Sequence, residues 1–277
     1  MKVRDIMTTD VIFGVVPSTR KDILSILLKH KVTGIPIIRK NTKKVVGIVT
    51  RTDLIEKASE EQTALLMNRD PITITPNANV HDAVKLFVDN NIRRLPVVSN
   101  NELVGIITVA DVIHKMISNL KISKPIKEYV IRKISAIWDK TAINVAYKIM
   151  KLSKMQAIPI INSKLNLVGI VSLSDILSNA EIKMREHTST TKATTEGQDW
   201  NWDSTTILYI SSKRLTLSNK PVNEIMVKKV ITIVEQTSIS DCAKRMSLHN
   251  INQLPVLNAE GELVGMINDI SLIKVLL

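Results

Sequence analysis

One scheme of apolar and polar positions recurs four times along the chain. An apolar run with proline near its centre comes first: TGIPII (33–38), RRLPVV (93–98), QAIPII (156–161) and NQLPVL (252–257). A polar turn follows, then a second apolar run: VVGIVT (45–50), LVGIIT (103–108), LVGIVS (167–172) and LVGMIN (263–268). Proline and glycine are 11, 9, 10 and 10 residues apart, which predicts a hairpin whose loop varies in length.

Each hairpin is preceded by a helical pattern. Val80, Ala83, Val84, Phe87 and Val88 fall at i, i+3, i+4, i+7 and i+8, one apolar face of an amphipathic helix. Ile239, Cys242, Ala243 and Met246 repeat that face. Thr19 with Asp22, Asn79 with Asp82 and Ser238 with Asp241 read as N-cap pairs. A second helix is predicted after each glycine-centred run. Upstream lie β-branched stretches such as ITIT (72–75) and VITIV (230–234), and short amphipathic openers VRDIM (3–7), IKEYV (126–130) and VNEIM (222–226). The unit is therefore strand, helix, strand, strand, helix. At about 60 residues it has little core of its own, so pairing of units is expected. The boundaries read as 1–60, 61–120, 121–182 and 221–277, with an insert over 183–220. That insert opens rich in Thr and Ser, as a flexible loop does, and carries TTILYI (205–210) beside Trp200 and Trp202, an added strand or a packing flap.

Composition narrows the class. Hydrophobic residues make up 44% of the 277 positions and aromatics 3%, so the core is aliphatic. No apolar run approaches the roughly 18 residues of a membrane span, and MKVRDIMTTD lacks the apolar stretch of a signal peptide. The expected location is cytoplasmic, with no membrane contact. Cys242 is the one cysteine, which excludes an intrachain disulfide and reads as a small buried residue. The net charge of +12 favours anionic partners: nucleotides, nucleic acid or an acidic protein. Few aromatics are present to stack single-stranded bases, and the basic residues are spread along the chain, which puts nucleic acid behind nucleotides. His30, His81, His114, His187 and His249 show no metal-ligand spacing, and no phosphate loop or nucleophile–base pair stands out. A catalytic role and a metal are not expected.

The second apolar run of three units ends in a hydroxyl followed three residues later by a carboxylate: Thr50/Asp53, Thr108/Asp111 and Ser172/Asp175. The fourth has Asn268 and Ser271 instead. Two readings fit. The carboxylates cap the following helices, or they accept both hydroxyls of a ribose diol in charge-assisted bonds.

Four proline-centred strands in register, most with a Gly-x-x-Thr-x-x-Asp run, resemble cystathionine-β-synthase (CBS) domains. The likeness covers nearly the whole chain apart from the insert, and is similar to archaeal stand-alone four-CBS proteins and to the γ subunit of AMP-activated kinase. The resemblance implies an α/β (α+β) fold of four β-α-β-β-α repeats paired into two Bateman modules. It implies clefts for adenosyl ligands (AMP, ADP, ATP or S-adenosylmethionine) rather than a catalytic cofactor, a protein partner that senses occupancy, and a disc formed within one chain or across a homodimer. A nucleic-acid-binding protein and a scaffold with inactive sites are the rival readings.

Carried over by position, the first site takes Thr50 and Asp53, with Ile72, Ile92 and Arg93 from unit 2. The second takes Thr108 and Asp111, with Ile12, Val32 and Thr33 from unit 1. The third takes Ser172 and Asp175, with Ile231, Ile251 and Asn252 from unit 4. The fourth, with Asn268 and Ser271 beside Ser135, Met155 and Gln156, lacks the carboxylate and is expected to be vestigial; the adjacent Asp269 is expected on another face. Arg93 and Arg94 are phosphate ligands by the same resemblance, or a solvated basic strand edge. The other units are neutral there (Thr33-Gly34, Gln156-Ala157, Asn252-Gln253), so the N-terminal module is expected to suit phosphorylated adenosines and the C-terminal one less anionic ligands.

Overall fold

The computed structural model describes residues 1–57, 59–179, 181–192 and 205–277. Unit 1 runs β1 (Gly14–Val16), α1 (Arg20–Lys29), β2 (Gly34–Arg39), β3 (Val45–Thr50) and α2 (Arg51–Glu56). A short helix, α3 (Thr63–Leu66), and β4 (Asn68–Arg69) lead into unit 2, which has α4 (Val80–Asn90), β5 (Arg94–Ser99), β6 (Glu102–Thr108) and α5 (Val109–Lys115). Unit 3 has β7 (Ile137–Trp138), α6 (Ile143–Ser153), β8 (Ala157–Ile161), β9 (Leu167–Ser172) and α7 (Leu173–Ser178). The insert contributes β10 (Glu181–Lys192) and β11 (Thr205–Thr216). Unit 4 closes with β12 (Ile233–Val234), α8 (Ile239–His249), β13 (Gln253–Leu257), β14 (Leu263–Asn268) and α9 (Asp269–Ile273).

In each unit the proline-centred strand pairs antiparallel with the glycine-centred one, Pro36 opposite Ile48 and Pro96 opposite Ile106. Units 1, 3 and 4 add a parallel first strand, which pairs from the residue after the proline onward: Ile37, Ile160 and Val256. The proline's missing N–H therefore costs no ladder bond. In unit 2 the stretch ITIT reduces to one parallel bridge, Ile74 to Val97. The opening of the insert differs from the expected flexible loop, and of the two readings of TTILYI the added strand holds. Its described parts form an antiparallel ribbon from Glu181↔Thr216 to Lys192↔Thr205, with TTILYI inside β11. Residues 193–204, including Trp200 and Trp202, lie outside the described residues.

The openers exchange between paired units. The opener of unit 1 (3–7) bonds to unit 2 through Val3 N to Ala78 O at 2.9 Å and Thr8 N to Ile106 O at 2.8 Å. The opener of unit 4 bonds to unit 3 through Val227 N to Ile170 O at 2.9 Å, and that of unit 3 to unit 4 through Ile131 N to Met266 O at 2.8 Å. Unit 2's own opener is the α3 stretch TALLM, whose Met67 reaches Gly47 of unit 1. The strand glycines make room for these crossings. A Cβ on Gly169 would lie 2.4 Å from the Met226 sulfur, and one on Gly265 would lie 2.7 Å from the Ile131 carbonyl oxygen. A thioether rotates aside easily, whereas a paired backbone carbonyl does not. Gly265→Ala is therefore expected to cost about 1–3 kcal/mol and Gly169→Ala less, as measured by urea unfolding; equal costs would contradict this account.

The expected helix faces are buried: Val80, Ala83, Val84 and Phe87 on α4, and Ile239, Cys242, Ala243 and Met246 on α8. Burial pushes the Cys242 thiol up to about 12, so it stays neutral. Units 1 and 3 each have a separate core cluster, but units 2 and 4 share one that runs from Phe87 and Leu95 to Met246 and Leu254. The chain is thus two pairs, 1 with 2 and 3 with 4, joined through the helices of units 2 and 4.

Candidate functional site

Each glycine-centred strand ends in a residue with extended backbone that opens the next helix, and in all four units the first turn closes by a reciprocal cap. In unit 1, Thr50 N donates to Asp53 Oδ2 (2.7 Å), Thr50 Oγ1 donates to the same oxygen (2.6 Å), and Asp53 N donates back to Thr50 Oγ1 (3.3 Å). Thr108/Asp111 and Ser172/Asp175 repeat this, with hydroxyl–carboxylate distances of 2.6 Å in each. The fourth copy keeps the cap with other chemistry. Ser271 N donates to Asn268 Oδ1 at 2.7 Å, and Asn268 N donates to Ser271 Oγ at 3.1 Å. Its first turn is therefore intact and only the negative charge is gone.

The cap consumes one carboxylate oxygen, so the other distinguishes the copies. Asp53 Oδ1 accepts Asn68 Nδ2 at 3.1 Å and the residue is 9% exposed. Asp111 Oδ1 faces Lys115 Nζ at 2.8 Å and stays at a cleft wall.

Two clefts meet at the junction of the units. One, of about 570 Å3, brings Thr108 and Asp111 of unit 2 together with Ile12, Val32 and Thr33 of unit 1. The other, of about 580 Å3, takes Thr50 of unit 1 with Ile72 and Ile92 of unit 2. Ser172 of unit 3 and Ile251 and Asn252 of unit 4 open into that same space, as does Gln156. Asp53, Asp175, Ile231, Ser135, Met155, Asn268 and Ser271 line neither cleft. Ile231 packs on the shared core and Met155 on the core of unit 3.

Arg93, Arg94 and the segment Asn250 to Asn252 form a wall common to both clefts. Arg93 is already paired: its Nε lies 3.1 Å from each oxygen of Asp269, which is 5% exposed. Asp269, expected from the sequence on another face than the fourth site, was not foreseen as the partner of Arg93; its signal was a carboxylate at the first helical position, where the other units have Arg51, Val109 and Leu173. Arg94 donates through Nη2 to Thr33 Oγ1 at 2.7 Å, while its Nη1 is sealed from solvent with no hydrogen-bond partner. That nitrogen occupies the space of the Cβ that Gly34 lacks, 1.7 Å from where it would stand. Gly34 and Arg94 hold the same position of the repeat, so one arginine fits between the paired units because its counterpart has no side chain. Desolvation, reinforced by the neighbouring Arg93 charge, lowers Arg94 to about 10, still a cation near neutral pH.

Among the described residues, no group of three or more His, Cys, Asp or Glu stands ready for a metal ion, and no helix is long and apolar enough to cross a membrane. A wall of two arginines, Arg93 paired with Asp269 and Arg94 bonded to Thr33, stands with apolar flanks and hydroxyl-capped helix starts between paired β-α-β-β-α repeats, the arrangement of a module with clefts of small-molecule size. The CBS domain matches residues 3–60, 63–118, 126–181 and 222–277, and the chain belongs to that family. Protein MJ1225 of Methanocaldococcus jannaschii is 24% identical, with 99% of this chain and 98% of that protein covered. The crystal structure of MJ1225 superposes over 100% of both chains with a TM-score of 0.78 at 20% identity. That of a conserved protein from Pyrococcus horikoshii does so with a TM-score of 0.70 at 28% identity.

Proposed function

We propose that this protein is a non-catalytic sensor that holds adenosine-containing ligands between paired repeats and passes their occupancy to a protein partner. The observation that carries this reading is the convergence of Thr108 and Asp111 from one unit with Ile12, Val32 and Thr33 from the other on one cleft of about 570 Å3. A carboxylate has about four acceptor positions. The cap and Lys115 leave Asp111 room to accept a ribose hydroxyl. Ile12 and Val32 offer an apolar surface to a base, and Arg94 stands on the wall where a phosphate would need charge.

Binding would act by difference. A ligand that bridges units 1 and 2 also presses on the wall that Arg93 ties to Asp269 of unit 4, so the two modules feel occupancy together. The C-terminal module has Gln156-Ala157 and Asn252-Gln253 in place of the arginines and suits a less anionic adenosyl ligand such as S-adenosylmethionine.

Calorimetry with AMP, ADP, ATP and S-adenosylmethionine tests the reading. Asp111→Ala is expected to weaken AMP at least tenfold. Asp53→Ala is expected to change stability more than affinity, because Asp53 holds its cap and Asn68 but lines neither cleft. If wild type binds none of the four ligands, or if Asp111→Ala binds them unchanged, the reading is wrong.

A further inference from the structure

The helices of units 2 and 4 share a core, whereas units 1 and 3 keep separate ones. Counted from the caps Thr19, Asn79 and Ser238, Leu24 and Leu28 of α1 hold the positions of Val84 and Val88 on α4 and of Ala243 and Ser247 on α8. Val84 and Ala243 are sealed in the shared core, and Val88 packs against it. Leu24 and Leu28 are 39% and 61% exposed.

The segment behind the second helix accounts for the difference. Ile117, nine residues past the cap Thr108, is fully buried, and its helical turn (Ile117–Asn119) packs on α8. The turn Lys274–Leu276 packs on α4 in the same way. Nine residues past Thr50 and Ser172 stand Ser59 and Glu181, polar residues unsuited to covering an apolar face. Units 1 and 3 still adjoin: Glu56 at the end of α2 lies 3.6 Å from Lys151 of α6, which holds the repeat position of Leu28. A single exposed leucine is ordinary. Two on one helix face, at positions buried elsewhere in the same chain, mark an uncovered contact.

Charge selects the occupant. α1 and α6 carry Arg20, Lys21, Lys29, Lys148 and Lys151 against one acid, Asp22. On α4 and α8, Asp82, Asp89 and Asp241 balance Lys85, Lys244 and Arg245. The basic excess favours an acidic partner and disfavours a second copy, whose matching face would bring the same charge.

We propose that the open face of α1, beside α6, docks an acidic amphipathic helix of a partner protein. Its apolar stripe would cover Leu24 and Leu28, and its carboxylates would meet Lys21, Lys148 and Lys151. This goes beyond the sensor reading and rests on the helix faces alone, so it stands or falls apart from ligand binding in the clefts.

The test uses the full chain without nucleotide and two stapled helical peptides with the same leucine stripe. One has glutamate at the remaining positions and the other lysine. Fluorescence anisotropy should show the glutamate peptide bound at least tenfold tighter, and more weakly at higher salt. The double variant Leu24→Glu, Leu28→Glu should weaken it at least tenfold, as should Lys148→Glu with Lys151→Glu. Leu248→Glu, at a position of α8 that is 80% exposed, should leave it unchanged. Circular dichroism checks the fold of each variant, and the wild-type preference between the two peptides decides on its own. If the glutamate peptide binds no tighter than the lysine peptide, or binds the leucine variant as it does wild type, the proposal is wrong. It is also wrong if sedimentation shows a wild-type dimer that Leu28→Glu splits, because a second copy then covers the face. Peptide binding without any binding of adenosyl ligands would overturn the sensor reading alone.

Discussion

Phe87→Ala is expected to lower the stability of the chain by about 3–5 kcal/mol, the ordinary cost of deleting a fully buried aromatic side chain. Phe87 is 0% exposed and stands on α4 in the core that units 2 and 4 share. The cavity left behind lies in an apolar core, and α4 packs on α9 of unit 4. The loss should therefore appear in both units. Amides of α8 in unit 4 should lose hydrogen-exchange protection along with those of α4, while the cores of units 1 and 3 are affected less. Leu28→Ala, on an exposed position of α1, serves as the control and should stay within about 0.5 kcal/mol. Urea unfolding measures the first effect. A loss under about 1 kcal/mol, or protection lost in unit 2 alone, would contradict a shared core.

Arg94→Gln is expected to separate affinity from stability. In the folded chain the guanidinium is desolvated, repelled by Arg93 and short of one bond. Replacing such a charge with a neutral group is about neutral or stabilising. A phosphorylated ligand, however, would lose a charge-assisted bond of about 1.5–3 kcal/mol, or roughly ten- to a hundredfold in affinity. Adenosine, which has no phosphate, should bind the variant within about twofold of wild type. Calorimetry with AMP and adenosine, beside thermal unfolding, reads both quantities. A variant that binds AMP as wild type does would make Arg94 a packing residue only.

What was readable in advance was local or repeated. Proline and glycine in register locate the hairpins because they mark where the ladder needs no N–H donor and where another chain segment passes close. Apolar positions at helical spacing identify the buried faces of α4 and α8 because a helix on a sheet buries one stripe. Hydroxyl and carboxylate three residues apart form a cap in each of the three copies that carry them, since the geometry of one helical turn decides it. The fourth copy, Asn268 and Ser271, shows the same turn built without charge.

Long-range pairing was not readable. Nothing near residue 53 marks Asn68 as the group that takes the free oxygen of Asp53, and nothing near residue 93 marks Asp269 as the partner of Arg93, 176 residues away. Four repeats of one pattern determine the unit and its pairing, because each unit has too little core to stand alone. Which units fuse their cores, which carboxylate stays at a cleft wall and which strand ends open into one cavity depend on how the modules dock. That docking rests on side chains at surface positions of the single unit, where the repeat imposes no pattern, so only the assembled chain decides it.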